Sequence, residues 1–396
     1  MRIAIVSGDD LVDDDPRQLC TALAARGQDV TACVRRTGRK PAQTSADGYQ
    51  TLAVLVGPRK KVAAARAAQV LPYVGEWAAT LERAWRRDQP DVVHAYGWLG
   101  GLAAQLAARR LSLPIVQTFQ RLAATSHPDA VEQPPGEIER MRIEPSLARS
   151  ASWVTGESAA DMDALIRLRH GRARVSTLTC GVDVERYTPR GPALPRTELH
   201  RILCLAPNPL PHNGFDMVIR TLPGVPGAEV VVAETEVSNS DHDEARSALQ
   251  RQATELGVTD RVSFAGTVAD DELPMLLRSA DVVACTPRRP PRATTVLQAM
   301  ASGVVVIALP VGVLTDAVVD DVTGFVISPE GPRGLAAALR SVLSQRFQCE
   351  SMGAAGRGRA LSRFAWDRIA LDALNIYRQV AGESSAPLNF QSSRAR

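Results

Sequence analysis

Three arginines within five positions, Arg288, Arg289 and Arg292, occupy the proline-rich loop of the stretch CTPRRPPRATTVLQAMASG, which runs from Cys285 to Gly303. A guanidinium presents a planar fork of N–H donors that matches a phosphate, so this spacing describes an anion site. The competing reading is an exposed loop in an arginine-rich chain, whose only lysines are Lys40, Lys60 and Lys61. A second group of chemically capable residues is acidic: Asp9, Asp10, Asp13, Asp14 and Asp15 follow the first apolar segment. Carboxylates there repel a phosphate unless a cation intervenes. Asp15 before Pro16 is instead the signature of an N-cap followed by proline at the first helical position, and the other four suit a solvated loop. No metal site and no cofactor is assigned.

The elements around the arginine loop set its position. An apolar strand ends at Cys285, a short helix covers 294–301, Gly303 stops it, and the run Val304, Val305, Val306, Ile307, Ala308 suits a strand buried on both faces of a parallel sheet. A turn at 310–312, a short helix to Val319 and one more strand after Thr323-Gly324 follow. Such α/β crossovers place their loops at the carboxyl ends of parallel strands, where ligands bind.

The same alternation runs through the chain. Strands are expected at 2–7, 29–34, 91–95, 114–118 and 153–155, then after a proline-containing linker at 201–206 and 229–234, with helices between them. The expected division is a first domain at 1–190, a linker at 191–200, a second domain at 201–365, a last helix at 366–382, and a disordered tail at 383–396. Two domains suit the length. Apolar content of 45%, charged content of 22% and a net charge of +3 are those of a globular protein and give no reason to invoke nucleic acid. The six cysteines are scattered without a CxxC pair and read as buried reduced thiols. No apolar run approaches the roughly 20 residues of a membrane span. The expected location is the cytoplasm, with peripheral membrane contact left open.

The stretch QAMASGVVVIALPVG, with the CTP at 285–287, resembles the donor-binding segment of the family-4 retaining glycosyltransferases (group 1). DVVHAY, PIVQTF and the turn GVDVERYTP at 181–189 extend the resemblance over about residues 1–382. It implies the GT-B fold, two Rossmann-like parallel-sheet domains facing each other across a cleft, with the helix at 366–382 crossing back to the first domain. The implied activity is transfer of a sugar from a nucleotide-activated donor to a hydroxyl acceptor with retention, of the hexosyltransferase type.

The chain departs from the family pattern where charge matters. Two family glutamates, on the donor sugar and the nucleotide ribose, become Pro290 and Gln298. Gln298 keeps hydrogen-bonding capacity for a ribose; Pro290 keeps none. The two cations that meet the donor diphosphate become Asn208 and Asn213, and losing a partner from a desolvated charged pair costs about 3 kcal/mol or more. Arg288, Arg289 and Arg292 are the candidates to replace them. The resemblance further assigns the glycine-rich first loop to Gly8, a donor-contacting turn to Val313, Leu314 and Asp316, and the sugar-facing positions to His94 and Gln120, where the family usually has a histidine at the latter. His127 is a substitute if its loop folds back. The basic loop at Arg59, Lys60 and Lys61 flanks the acceptor side, where an anionic acceptor or plain solvent would meet it. Two other readings stay open: a non-catalytic relative that binds a partner glycosyltransferase or a glycan, and a related condensation on an unusual donor.

Overall fold

The structure, a computed structural model, describes residues 1–8, 15–36, 48–57, 64–120, 122–125, 137–328 and 332–384. His127, the basic loop at 59–61, four of the five clustered aspartates and the tail after Ser384 lie outside them.

Among the described residues, thirteen strands form two separate parallel sheets. The first contains β1 (Arg2–Ser7), β2 (Asp29–Arg36), β3 (Gln50–Leu55), β4 (Val92–Tyr96), β5 (Ile115–Phe119), β6 (Trp153–Gly156) and β7 (Val175–Thr177), in the order β3-β2-β1-β4-β5-β6-β7. The second contains β8 (His200–Ala206), β9 (Ala228–Glu234), β10 (Val262–Thr267), β11 (Val282–Cys285), β12 (Val305–Ala308) and β13 (Gly324–Val326), in the order β10-β9-β8-β11-β12-β13. Strand order reverses beside β1 in one sheet and beside β8 in the other, so each has its switch point, β1 against β4 and β8 against β11. In open α/β sheets the ligand crevice lies at the carboxyl end of that point. Gly8, Asn208 and Arg288 all follow strands of the switch points.

The apolar runs that predict strands are buried on both faces: β4, β5, β11 and β12 have no exposed residue. β3 was not anticipated. Its sequence, QTLAVL, pairs in parallel with β2 along the sheet edge, and a single short apolar run carries no signal separating it from a connector.

Helices cover both faces of the first sheet. On one, Trp77, Leu81 and Trp85 pack with Leu99 and Phe119; on the other, Leu19 and Leu23 pack with Ile369, Leu374 and Tyr377 of the last helix, Trp366–Ser384. That helix follows second-domain residues in sequence yet lies on the first sheet. Tyr377 is fully buried there, and truncating such an aromatic costs about 3–5 kcal/mol. Cys180, Val182 and Tyr187 pack with the second domain's core instead.

Candidate functional site

Loops at the carboxyl ends of the two sheets meet. The turn after β8 and the arginine loop after β11 are locked together: the Arg288 backbone N–H donates to the His212 carbonyl at 2.8 Å, and the Thr286 hydroxyl donates to the Gly214 carbonyl at 2.8 Å. Gly214 has φ +74°, and a Cβ there would lie 1.8 Å from the Thr286 carbonyl oxygen, so only glycine fits. Gly312, at φ +56°, holds the 310–312 turn against Pro290 in the same way.

Arg292 and Asp316 carry contacts from the second domain to the first. Arg292 ion-pairs with Asp15, and its guanidinium lies 3.8 Å from Oε1 of Glu157. The side chains of Arg292 and Asp15 are only 11% and 10% exposed. Asp316 accepts from the Ala159 backbone N–H at 2.9 Å, at the start of the helix Ala159–Arg169. Gln120 completes the group by donating to Asp15 Oδ2 at 3.3 Å. Asp15, Glu157 and Cys180 bring potential metal-ligand atoms within 4.8 Å of one another, and Arg292 reaches both carboxylates.

The cleft beside this cluster holds a cavity of about 380 Å³. Pro290, Pro291, Pro310 and the turn to Val313 form its second-domain wall, and Thr125, Glu157, Ser158, Asp161 and Asp163 part of the first-domain wall. Ser158 and Asp161 form a capping box on the helix Ala159–Arg169, and Asp161 also accepts from the Thr125 hydroxyl at 2.9 Å. The loop carrying Gln120 and Thr125 is fixed from behind. Buried Glu144 accepts from the Ala123 N–H at 2.8 Å and from Arg140 Nε at 2.6 Å, while Arg140 also donates to the Gln120 carbonyl. Burial pushes the Glu144 carboxyl above its ordinary range, against the opposing pull of Arg140.

The sequence candidates fall into distinct places. Asn208 and Asn213 sit at the end of β8 but point at each other: Asn213 donates to the Asn208 side chain at 2.9 Å, and Asn208 donates to Glu236 at 3.0 Å. An acid therefore adjoins the position where the family carries a cation. Arg288 is half exposed and pairs with Asp216 at 2.6 Å; Arg289 is exposed. Gln298 donates to the Tyr187 hydroxyl at 3.0 Å. Gly8 is buried, its backbone nitrogen 3.0 Å from where a Cβ on Gly100 would stand. Val313 and Leu314 are buried, and Asp316 serves the cross-domain contact above.

His94 requires a correction. It does not face a sugar: it is fully buried beneath the last helix, with Nδ1 2.5 Å from the Tyr377 hydroxyl and Nε2 2.6 Å from the Thr118 hydroxyl. Burial lowers its pKa to about 3, keeping it neutral. Its place on β4 pointed to the cleft, but successive side chains alternate faces of a sheet and this one meets a helix. Asp15, read as a helix start, does begin the helix Asp15–Ala25 and also pairs with Arg292 across the cleft; no local pattern announces the second role.

Comparison with known proteins agrees with this geometry. Residues 17–186 match the profile described as Glycosyltransferase Family 4, and residues 198–359 that of Glycosyl transferases group 1. The chain is 31% identical over 382 residues to the D-inositol 3-phosphate glycosyltransferase of Xylanimonas cellulosilytica, covering 91% of this chain and 90% of that protein. It is 30% identical over 392 residues to that of Actinosynnema mirum, covering 91% and 90%. Among solved structures, sucrose-phosphate synthase from Thermosynechococcus elongatus superposes with a TM-score of 0.81 at 21% identity, covering 97% of this chain and 100% of that one. Alr3699/HepE from Anabaena, in complex with UDP, superposes with a TM-score of 0.70 at 17% identity, covering 97% and 99%. With two parallel-sheet domains, a cleft built from their carboxyl-end loops and these sequence matches, the chain belongs to the family-4, group-1 glycosyltransferases of the GT-B fold.

Proposed function

We propose that this glycosyltransferase moves a sugar from a nucleotide-activated donor to a hydroxyl of a polyol held in the interdomain cleft, with retention at the anomeric carbon. The observation that carries the reading is the convergence of the β8 turn, the arginine loop and the 310–313 turn on one cleft, opposite Asp15, Gln120 and Glu157. Asn208 and Asn213 cannot neutralise a diphosphate. The arginine loop takes over: Arg288 and Arg289 are accessible, and Arg292 turns from Asp15 toward the donor when the nucleotide sugar enters. A cation aimed at the departing diphosphate stabilises the charge that develops there. Retention brings the acceptor hydroxyl to the face from which the diphosphate leaves. The C1–O(phosphate) bond breaks, the C1–O(acceptor) bond forms, and the hydroxyl proton passes to the freed phosphate oxygen.

The HepE structures contain UDP, with glucose or as UDP-glucose, and support a UDP-linked donor as the first to test. The curated relatives act, by name, on D-inositol 3-phosphate, which supports a polyol acceptor here. Incubating the protein with UDP-, GDP- and ADP-linked hexoses and a polyol panel, and reading the anomeric coupling of any product by NMR, tests the proposal. A product with the donor's configuration supports it; inversion refutes the retaining route.

A second reading is favoured by the Asn208–Glu236 contact alone: a non-catalytic member that binds a glycan or a partner glycosyltransferase. Glycan binding by a protein with no measurable affinity for any nucleotide sugar would establish it.

A further inference from the structure

One wall of the cleft cavity offers a sugar little to hydrogen-bond. Among the described residues that line it, the second-domain side consists of Pro290, Pro291, Pro310, Val311, Gly312 and Val313, which carry no side-chain nitrogen or oxygen. The three prolines also lack a backbone N–H. Much of the remaining backbone is used within the turn itself. The Val311 N–H donates to the Leu309 carbonyl at 2.8 Å, and the carbonyls of Val311, Gly312 and Val313 accept from the N–H groups of Leu314, Thr315 and Asp316 at 3.3, 3.3 and 3.1 Å. The wall is tightly set, since a Cβ on Gly312 would stand 2.8 Å from Cβ of Pro290. The side chains of this lining that can hydrogen-bond, from Thr125 to Arg167, all belong to the first domain.

We propose that this cavity is the donor-sugar subsite and that it selects a nucleotide-activated 6-deoxyhexose, a sugar with a methyl group where an ordinary hexose carries its C6 hydroxymethyl. The inference rests on the glycosyltransferase reading above and names the donor class of that same site. Pro290 stands where the family places a glutamate on the donor sugar, so the missing acceptor and the apolar wall coincide at one position. A hydroxyl turned to that wall gives up its water and gains no partner, which costs affinity. A methyl turned there gives up nothing and gains contact with ring methylenes and valine methyls. C6 is the carbon that projects from the pyranose ring, so deoxygenation there supplies a whole methyl group, whereas deoxygenation at a ring carbon supplies only a C–H. The ring hydroxyls that remain are left to the polar first-domain side, which sets the sugar's orientation in the cleft.

The test uses the full-length protein and two matched pairs of donors, UDP-glucose with UDP-6-deoxyglucose and GDP-mannose with GDP-6-deoxymannose, titrated by calorimetry. Within the pair whose nucleotide binds, the 6-deoxy sugar should bind about tenfold tighter, the worth of one hydroxyl left without a partner. Pro290→Glu returns an acceptor to the wall and should bring the two sugars to parity or reverse their order. Val313→Thr exchanges a methyl for a hydroxyl at nearly constant volume and should shrink the preference severalfold, which keeps the wall under test even where Pro290→Glu fails to fold. Equal or tighter binding of the parent hexose by the wild type, or a preference that neither variant moves, overturns the assignment. Transfer to a polyol is measured on the same samples. Turnover of the parent hexose and its 6-deoxy form at equal affinity removes the sugar preference and leaves the enzyme reading standing; no binding of any of the four donors removes both.

Discussion

The Arg292 guanidinium of the second domain is ion-paired with the Asp15 carboxylate at the start of the first domain's first helix, 277 positions away in sequence. Both side chains are largely shielded from water, so the pair is a strut between the domains as well as a charge contact within the cleft. Breaking one side of a buried pair leaves the other uncompensated and costs about 3 kcal/mol or more. Arg292→Ala should therefore lower the free energy of unfolding by that amount. Asp15→Asn combined with Arg292→Ala should be less destabilised than the sum of the two single variants, as measured by a double-mutant cycle in urea. Additive losses would show that the two groups do not interact.

Asn213 and Asn208 are neutral and bond to each other, with Glu236 beside them. Restoring one cation and removing the acid should therefore rebuild ordinary phosphate recognition. Asn213→Lys with Glu236→Gln should raise UDP affinity about tenfold, the worth of one charge-assisted contact. Unchanged calorimetric affinity would place the diphosphate away from the β8 turn.

His94 links proton binding to stability. Its pKa falls from an ordinary 6.5 to about 3 through burial, so the folded chain keeps it neutral while the unfolded chain protonates it below 6.5. The neutral histidine's contribution is fully present above pH 6.5 and is lost as pH falls from 6.5 toward 3, by at most about 1.4 kcal/mol per pH unit. Urea denaturation of wild type and His94→Asn at pH 7, 6, 5 and 4 should converge as pH falls. A constant difference would mean that the imidazole does not change its proton affinity on folding.

Glu144 supports the cavity from behind without touching it. Replacing it with alanine removes the acceptor for the Ala123 N–H and the partner of Arg140, and should cost about 3 kcal/mol. Hydrogen exchange at Ala123–Thr125 should speed up more than exchange in β5. Equal acceleration throughout would point to a global effect.

Strands and turns were legible because burial on both faces leaves continuous apolar runs, and because Gly303 and Gly312 mark places where the backbone requires glycine. The family was legible for the same reason: QAMASG and its strand are built by packing. The charge arrangement was not. Asp15 looks like a cap because its sequence neighbours are a loop and Pro16, and only the meeting of two domains turns its carboxylate toward Arg292. His94 looked functional because it lies on a strand whose carboxyl end meets the cleft, whereas the last helix, more than 280 residues away, supplies the partner that buries it.

The central claim is that Arg292 exchanges Asp15 for the donor's diphosphate. Calorimetric titration of UDP-glucose into wild type, Asp15→Asn and Arg292→Ala, each verified as folded by circular dichroism, tests it most directly. Freeing Arg292 in Asp15→Asn should tighten binding by about tenfold, and Arg292→Ala should weaken it by at least as much. Equal weakening in both variants would identify the pair as a structural strut only, and would contradict the account.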